Sequence, residues 1–188
     1  MHRLLAAVCW PVKSLKLAAC YAILAALVVG FGASADAQAQ AVRIVALGAS
    51  NTYGKGVARG QDYPAHLQGL LKQKGVNAVV TNAGINGDTT GGMLARLGSA
   101  VPAGTQIVIL QPGGNDRRQG QEGQRAGNIA KMRSQLAARS VKVVVMENDA
   151  FRAVPQSERA ADGVHFTPRG YAILAQNILP QVLAAVGK

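Results

Sequence analysis

Four short runs rich in β-branched residues recur along the chain, and stretches of helical pattern separate them. The runs occupy residues 42–47, 78–81, 106–110 and 141–146. Each is almost continuously apolar, which is typical of a strand that other elements cover on both faces. Strands that alternate with helices pair in parallel through right-handed crossovers. The sequence therefore predicts an α/β fold, a three-layer α/β/α sandwich around a parallel sheet of four to five strands.

Start and stop signals predict three helices after these runs. Asp62 is a candidate N-cap for a helix that stops at Gly75. Residues 127–139 carry apolar side chains at helical spacing. The last helix is expected to begin after Thr167, with a proline at its first position. Because proline lacks an N–H group, Pro180 is expected to kink or shorten this helix.

The N-terminal segment, residues 1–40, has the composition of an export signal. Basic residues precede an apolar stretch at residues 17–32, and Ala-x-Ala sites follow it. We expect a signal peptide that is cleaved near residues 37–41, and one domain at residues 41–188 of a periplasmic or secreted protein. The alternative is an uncleaved N-terminal membrane anchor, because the apolar stretch approaches the length of a membrane span.

Composition narrows the chemistry of such a domain. Both cysteines, Cys9 and Cys20, lie in the predicted leader, so the remaining domain can form neither a disulfide nor a thiolate metal site. Two histidines remain, His66 and His165, and no ligand spacing surrounds them. We therefore expect no metal.

The charge of the chain bears on its partners. The formal net charge is +11, and the basic excess persists without the leader. An exported cationic domain is suited to anionic envelope lipid or polysaccharide, although a solvated basic surface explains the charge equally well. The basic residues are dispersed and aromatic residues make up only 4%, so nucleic acid is not an expected partner. Because no heptad pattern or distinctive apolar patch indicates an oligomer, we expect a monomer.

Four short segments carry residues suited to catalysis, and three of them follow the ends of predicted strands. They are residues 48–54, 86–88, 113–116 and 162–165. The C-terminal ends of parallel strands line one edge of an open sheet, where ligands bind. The fold therefore predicts that a serine, a glycine amide, an asparagine amide and an Asp-x-x-His pair lie close together.

Ser50, His165 and Asp162 are the candidate nucleophile, base and orienting carboxylate of an acyl transfer. A serine hydroxyl is a weak nucleophile until a base removes its proton, and a histidine can take that proton and return it to a leaving group. Asp162 lies three residues before His165, so a turn can bring its carboxylate to the imidazole. Taken singly, Ser50 is more simply a helix cap, whereas a loop aspartate and a buried polar histidine explain the other two residues only as well as catalysis does.

Gly87 and Asn115 are candidate donors to an oxyanion. A tetrahedral intermediate requires N–H groups aimed at its oxygen, and the Ser50 and Gly87 backbone amides with the Asn115 side chain would supply three. Each residue also has a structural explanation, because glycine and asparagine both suit turns. The occurrence of all these features together favours the catalytic interpretation.

The chain resembles the SGNH hydrolases, the superfamily of GDSL-type esterases and lipases. The resemblance covers nearly all of the predicted domain and rests on residues 46–54, 82–89, 113–116 and 162–165. It implies a flavodoxin-like sheet, and it implies the same nucleophile, base, carboxylate and oxyanion donors as above. It also implies hydrolysis of esters or thioesters by water, with no cofactor.

Two departures from the pattern of that family stand out. Ala49 precedes the nucleophile where the family usually has aspartate, which removes a polar anchor from the turn. The segment between the fourth predicted strand and Asp162 is short, whereas fuller members place another strand and helix there. We therefore expect a shallow, open site with rims at residues 117–123 and 151–161.

Two other functions fit parts of the sequence. Residues 49–55 resemble the start of a phosphate loop, but Gly56 replaces the Ser or Thr that would ligate magnesium. A non-catalytic protein that binds envelope polysaccharide or lipid is the stronger alternative, because a fold does not imply a function. The combined pattern favours an exported serine hydrolase of the esterase, lysophospholipase or acyl-thioesterase type, which cleaves a small-molecule ester or thioester through an acyl-Ser50 intermediate.

Overall fold

The computed structural model describes residues 40–146 and 148–188. The leader predicted at residues 1–40 lies outside the described residues except for Gln40, so cleavage and export stay predictions. The described chain contains a four-stranded sheet, and helices cover both of its faces. The predicted α/β fold class is therefore confirmed. No helix among the described residues is long and apolar enough to cross a membrane.

The sheet is parallel throughout. Its strands are β1 (Val42–Gly48), β2 (Ala78–Gly84), β3 (Ile107–Gln111) and β4 (Lys142–Val145). They lie in the order β2-β1-β3-β4, and all three neighbouring pairs are parallel. The strand count is the lower of the two predicted values, and each predicted run lies within a few residues of an observed strand.

Helices connect and follow the strands. After β1 come α1 (Ser50–Tyr53) and α2 (Tyr63–Gln73), and after β2 come α3 (Thr90–Ala95) and α4 (Leu97–Ala100). After β3 come α5 (Asn115–Arg118) and α6 (Glu122–Ala138). The chain after β4 forms α7 (Asn148–Arg152), a 3₁₀ turn at Gln156–Glu158 and α8 (Pro168–Val186).

Alternate residues of β1 enter two separate hydrophobic clusters, because successive strand side chains point to opposite faces of a sheet. Ile44 and Ala46 pack with α2 and α8. Val45 and Leu47 pack with α3, α4 and α6. Each face of the sheet is thus buried under its own helical layer, which gives the three-layer arrangement.

Two helix caps lie where the sequence predicts them. The Asp62 carboxylate accepts a hydrogen bond from the Ala65 backbone N–H (3.1 Å), and the Thr167 hydroxyl accepts one from the Gly170 N–H (3.1 Å). These side chains satisfy N–H groups that have no partner within the helix. The second cap fixes the backbone directly after His165.

The observed helices differ from the sequence predictions in three respects. Pro180 does not shorten α8, which continues to Val186, because buried side chains on both sides of the proline hold the helix against the sheet. The helix predicted at residues 127–139 begins earlier, at Glu122. The helices α3 and α4 were not predicted, because their glycine content weakens the helical pattern.

Gly84, the last residue of β2, lies against the backbone of α1. An alanine Cβ there would lie within 3.0 Å of the Tyr53 backbone nitrogen, which cannot move without shifting the helix. We expect Gly84→Ala to lower the free energy of unfolding by about 1–3 kcal/mol in urea denaturation. Gly69→Ala is the control, because its Cβ would meet nothing within 4 Å and alanine favours a helix by about 0.5–1 kcal/mol. Equal destabilisation by the two changes would contradict this account.

Candidate active site

Ser50 lies at the first position of α1, directly beyond the C-terminal end of β1. Ala49 occupies the N-cap position between strand and helix. Gly48 is required there, because a Cβ on it would lie only 2.8 Å from the Gln111 side chain. The one-turn helix ends at Gly54, whose φ of +82° belongs to the left-handed region. The Ser50 hydroxyl is therefore presented on a tight turn at the edge of the sheet.

Gln111, at the end of β3, anchors this turn. Its Oε1 accepts hydrogen bonds from the Ala49 backbone N–H (3.0 Å) and from the Thr52 hydroxyl (3.1 Å). Because Thr52 gives its single proton to Gln111, the Tyr63 hydroxyl donates to Thr52 (3.3 Å). Burial raises the pKa of Tyr63, which keeps this donor protonated. The polar anchor expected to be lost with Ala49 is thus supplied by Gln111, whose role the sequence analysis missed.

The structure brings Ser50, His165 and Asp162 together. The Ser50 Oγ lies 2.8 Å from His165 Nε2, although the two residues are 115 positions apart. On the other side of the ring, His165 Nδ1 lies 2.5 Å from Asp162 Oδ2. The imidazole is buried, whereas Asp162 is exposed. One continuous path of hydrogen bonds therefore joins the hydroxyl to the carboxylate.

The loop that carries Asp162 fixes both oxygens of its carboxylate. Oδ1 accepts the backbone N–H groups of Val164 and His165, each at 2.9 Å, while Oδ2 faces the imidazole. The backbone N–H of His165, together with its ring and the N–H of Val164, holds the pKa of Asp162 well below its usual range. The loop is closed by a hydrogen bond from the Ala160 N–H to the His165 carbonyl (2.8 Å). The carboxylate is thus ionised and oriented.

A second set of contacts connects α1 to this loop. The Asn51 side-chain amide donates to the Val164 carbonyl (3.4 Å), and the Tyr171 hydroxyl of α8 lies 3.4 Å from Asn51 Oδ1 and 3.1 Å from the Lys55 carbonyl. Burial raises the pKa of Tyr171, so its hydroxyl keeps the proton that it donates. These contacts hold the serine turn and the histidine loop against the same helix. Nothing in the sequence pattern identifies them.

Asn115 begins α5 with its side-chain amide held in one orientation. Its Nδ2 donates to the Asp88 carbonyl (2.8 Å), and its Oδ1 accepts from the Arg118 guanidinium (3.1 Å). An amide nitrogen carries two hydrogens, so one remains after the bond to Asp88. Gly113 lies between this amide and the serine turn, because a Cβ built on it would lie 4.0 Å from Asn115 Nδ2 and 3.3 Å from Ala49 Cβ. The amide therefore lies beside the serine turn.

Gly87 has a φ of +78°, which a residue with a side chain rarely adopts. A Cβ on it would meet nothing within 4 Å, so the turn itself explains the glycine. The Gln119 side chain donates to the Gly87 carbonyl (2.9 Å) and ties this turn to the end of α5. Within the part of the chain that the structure describes, the backbone N–H groups of Ser50 and Gly87 donate to no protein acceptor.

Asp116, next to Asn115, is fully buried. Its carboxylate accepts hydrogen bonds from the backbone N–H and the hydroxyl of Thr90, at 3.2 Å and 2.5 Å. The Asn128 side chain donates to the same hydroxyl (3.1 Å). A buried carboxylate requires such partners, and here they tie the start of α5 to the start of α3. Asp116 was not predicted to have a role, because its partner Thr90 begins a helix that the sequence pattern does not predict.

A cavity of about 230 Å³ adjoins the serine turn and the histidine loop. Among its lining residues are Asn51, Gly113, Asn148, Phe151, Arg159 and Phe166. The predicted rim at residues 151–161 thus contributes to the cavity. The other predicted rim, residues 117–123, does not line it, because that segment forms the end of α5 and the start of α6.

His66, the other histidine of the predicted domain, lies on α2 and lines a different cavity of about 290 Å³ against α8. Its Nε2 is buried and has no hydrogen-bond partner among the described residues. No group of three His, Cys, Asp or Glu side chains in residues 40–146 and 148–188 is arranged to hold a metal ion. That the protein needs no metal stays a prediction.

Comparison with known families decides the relationship. Residues 46–159, more than half of the chain, match the GDSL-like lipase/acylhydrolase family. The chain belongs to this family. The resemblance to the SGNH hydrolases is therefore confirmed.

Two curated relatives are similar in sequence. Esterase TesA of Pseudomonas aeruginosa is 34% identical over 114 residues, which cover 58% of this chain and 55% of the relative. An arylesterase of Vibrio mimicus is 32% identical over 126 residues, which cover 66% of this chain and 62% of the relative. The alignments thus span less than two thirds of either relative's length.

The fold is also found among solved structures. A crystal structure of TesA superimposes with a TM-score of 0.69 at 24% identity, and the match covers 76% of this chain and 99% of that one. At this level of identity the likeness establishes a shared fold. It agrees with the parallel sheet and the two helical layers described above.

Proposed function

We propose that this GDSL-family protein hydrolyses carboxylic esters or thioesters through an acyl-enzyme intermediate on Ser50. His165 is the general base, and Asp162 orients it. The observation that supports this proposal is the hydrogen-bonded path from Ser50 Oγ through the imidazole to Asp162 Oδ2. Membership of a family of lipases and acylhydrolases supports the same chemistry.

In the first half-reaction, the Ser50 hydroxyl attacks the carbonyl carbon of the ester while His165 Nε2 takes its proton. The 2.8 Å separation is within the reach that such a transfer requires. The imidazolium that forms is stabilised by the ionised Asp162, which holds the other ring proton on Nδ1. When the carbon–oxygen bond of the ester breaks, Nε2 returns the proton to the leaving alcohol.

The negative oxygen of the tetrahedral intermediate is bound by three donors in this proposal. They are the backbone N–H groups of Ser50 and Gly87 and the second amide hydrogen of Asn115. Asn115 is suited to this role because Asp88 and Arg118 fix its amide before substrate arrives. Donors that are already oriented stabilise the developing charge without reorganisation, and removal of one raises the barrier by about 2.7–4 kcal/mol.

Water completes the reaction. In the second half-reaction, His165 takes a proton from a water molecule, and the resulting hydroxide attacks the acyl carbon. The bond between that carbon and Ser50 Oγ then breaks, the serine regains its proton from His165, and the carboxylic acid leaves. The side chains on the described residues supply every proton transfer in this scheme, so the proposal requires no cofactor.

The proposed setting is outside the cytoplasm. The leader pattern at residues 1–40 supports export, with the mature domain acting as a monomer in the periplasm or medium. The net charge of +11 is compatible with a location near anionic envelope components. N-terminal sequencing of the protein purified from the culture medium or periplasm tests this, and an intact N-terminus would contradict cleavage.

Fluorophosphonate labelling tests the proposed chemistry directly, because the probe reacts with an activated serine. We expect peptide mass mapping to locate the adduct on Ser50 in the wild type. Ser50→Ala should carry no adduct, and His165→Ala should react far more slowly because its serine lacks a base. A folded wild-type protein with no adduct on Ser50 would contradict the proposal and favour a non-catalytic binding protein on the same fold.

A further inference from the structure

The cavity beside the serine turn, here named the Arg159 cavity, contains one positively charged side chain. Its wall combines Arg159 with two aromatic residues, Phe151 and Phe166, and with three residues that have side-chain amides, Asn51, Gln111 and Asn148. No acidic side chain lines it among the described residues. A group bound there would therefore meet two aromatic residues, three residues with side-chain amides and one cation.

Arg159 is held in place without being neutralised. Its guanidinium donates to the Phe151 carbonyl (2.9 Å) and lies 5.2 Å from the centre of the Phe166 ring. A guanidinium carries five N–H donors, so several stay available after that bond. The backbones of Arg159 and Phe166 also pair in an antiparallel bridge. The cation therefore lies on the same closed loop as His165.

Within the described residues, no carboxylate lies within 4.0 Å of Arg159, whereas the acidic residues around it are engaged elsewhere. Glu158, its neighbour in sequence, accepts a hydrogen bond from the Thr167 hydroxyl and pairs with Arg169 (3.5 Å). Asp162 is bound to His165. Among the residues that the structure describes, Arg159 is thus half-buried, keeps free donors and has no carboxylate partner, and such a guanidinium is suited to a carboxylate ligand.

The size of the Arg159 cavity limits what it can hold. Its volume is about 230 Å³, and a water molecule occupies about 30 Å³ in the liquid. The cavity therefore has room for about seven or eight water molecules, and it accommodates slightly more non-hydrogen atoms than that when they are bonded to one another. A short dicarboxylic acyl group or a benzoate ring fits this limit, whereas a long fatty acyl chain does not fit inside.

We propose that the preferred substrates of this protein are small esters that carry a free carboxylate, which binds Arg159. This inference rests on the proposed ester hydrolysis and specifies its substrate class. The carboxylate accepts hydrogen bonds from the guanidinium while the apolar part of the fragment contacts Phe151. The scissile carbonyl then lies at Ser50.

Two pairs of substrates test the inference, each comparing a carboxylate with the carboxamide of equal shape. Para-acetoxybenzoate and para-acetoxybenzamide carry the test group on the leaving alcohol. Phenyl hydrogen glutarate and phenyl glutaramate carry it on the acyl group. We expect the wild type to favour the carboxylate in one pair by about tenfold or more in kcat/KM, because hydrogen bonds to charged groups are the stronger ones. The pair that responds identifies the side of the ester that enters the cavity.

Variants separate the cavity from the general positive charge of the protein. Arg159→Gln should bring the carboxylate-to-carboxamide ratio close to one, because it removes the charge that distinguishes the two substrates. Arg159→Lys should retain part of the preference, because it keeps the charge without the planar fork. Arg152→Gln is the matched control, since it removes an equal charge from a side chain that is 79% exposed and outside the cavity. That variant should keep the wild-type ratio.

The outcomes distinguish this inference from the function on which it rests. A wild-type ratio near one in both pairs, or an equal fall in the ratio with Arg152→Gln, would overturn the role of Arg159 while leaving ester hydrolysis intact. Failure to hydrolyse either member of each pair, without fluorophosphonate labelling of Ser50, would overturn the proposed function itself. Because the wild-type ratio is informative alone, the test does not depend on the folding of any variant.

Discussion

Replacement of His165 by alanine is expected to lower kcat for ester hydrolysis by about 10⁴-fold to 10⁶-fold. The Ser50 hydroxyl would lose the base that lies 2.8 Å from its oxygen, and the leaving alcohol would lose its proton donor. The binding contacts of the substrate and the proposed oxyanion donors would be unchanged, so KM should change far less than kcat. Steady-state kinetics with a chromogenic acetate ester measure both constants.

His66→Ala provides the matched control for this prediction. It removes the other histidine of the described chain, which lies on α2 and lines a different cavity. Its kcat should stay within a few fold of wild type, and thermal unfolding should show that both variants are folded. If His165→Ala retained more than about a tenth of the wild-type kcat, His165 could not be the base.

Asp162→Asn is expected to lower kcat by about 10⁴-fold, because it stabilises the tautomer of His165 that cannot act as the base. Asparagine can keep its carbonyl oxygen at the place of Oδ1, which accepts the N–H groups of Val164 and His165. Its NH₂ group then faces His165 Nδ1 as a donor. The ring must accept that bond on Nδ1 and carry its hydrogen on Nε2, where it can no longer take the serine proton. The loop is thus preserved while the base is disabled.

The kinetic signature of Asp162→Asn separates orientation of the base from substrate binding. We expect kcat to fall with little change in KM, because Asp162 contacts the imidazole and not the substrate. Asp149→Asn, an equal change of charge at a side chain that is 92% exposed on α7, should leave both constants close to wild type. A rise in KM comparable to the fall in kcat with Asp162→Asn would show that the carboxylate contributes to binding.

The strands and the approximate place of the candidate site could be predicted because their signals are local. Buried parallel strands have almost continuous apolar runs, and the polar segments directly after them must meet at one edge of the sheet. The caps at Asp62 and Thr167 were predictable for the same reason, since a cap depends on residues within one helical turn. Proximity of Ser50 to His165 followed from this topology together with the family resemblance.

The supports of the site could not be predicted, because their partners are distant in sequence. Gln111 at the end of β3 accepts a hydrogen bond from the Ala49 N–H, which lies beyond the end of β1. Asp116 on α5 accepts one from the Thr90 N–H at the start of α3. A glutamine at a strand end or an aspartate in a helix has many other uses, so composition gives no signal. The glycine-rich helix α3 was missed because tertiary packing around Met93, and not intrinsic propensity, stabilises it.

The hydrogen bonds of Gln111 tie the identity of residue 49 to that of residue 111. A single carbonyl oxygen serves two donors here, and the methyl group of Ala49 is 2% exposed. An aspartate at position 49 would bury a second acceptor beside the first, unless the amide of Gln111 rotated and released the backbone N–H of residue 49. We therefore expect substitutions at positions 49 and 111 to be non-additive in their effect on stability, because both act on the same buried oxygen.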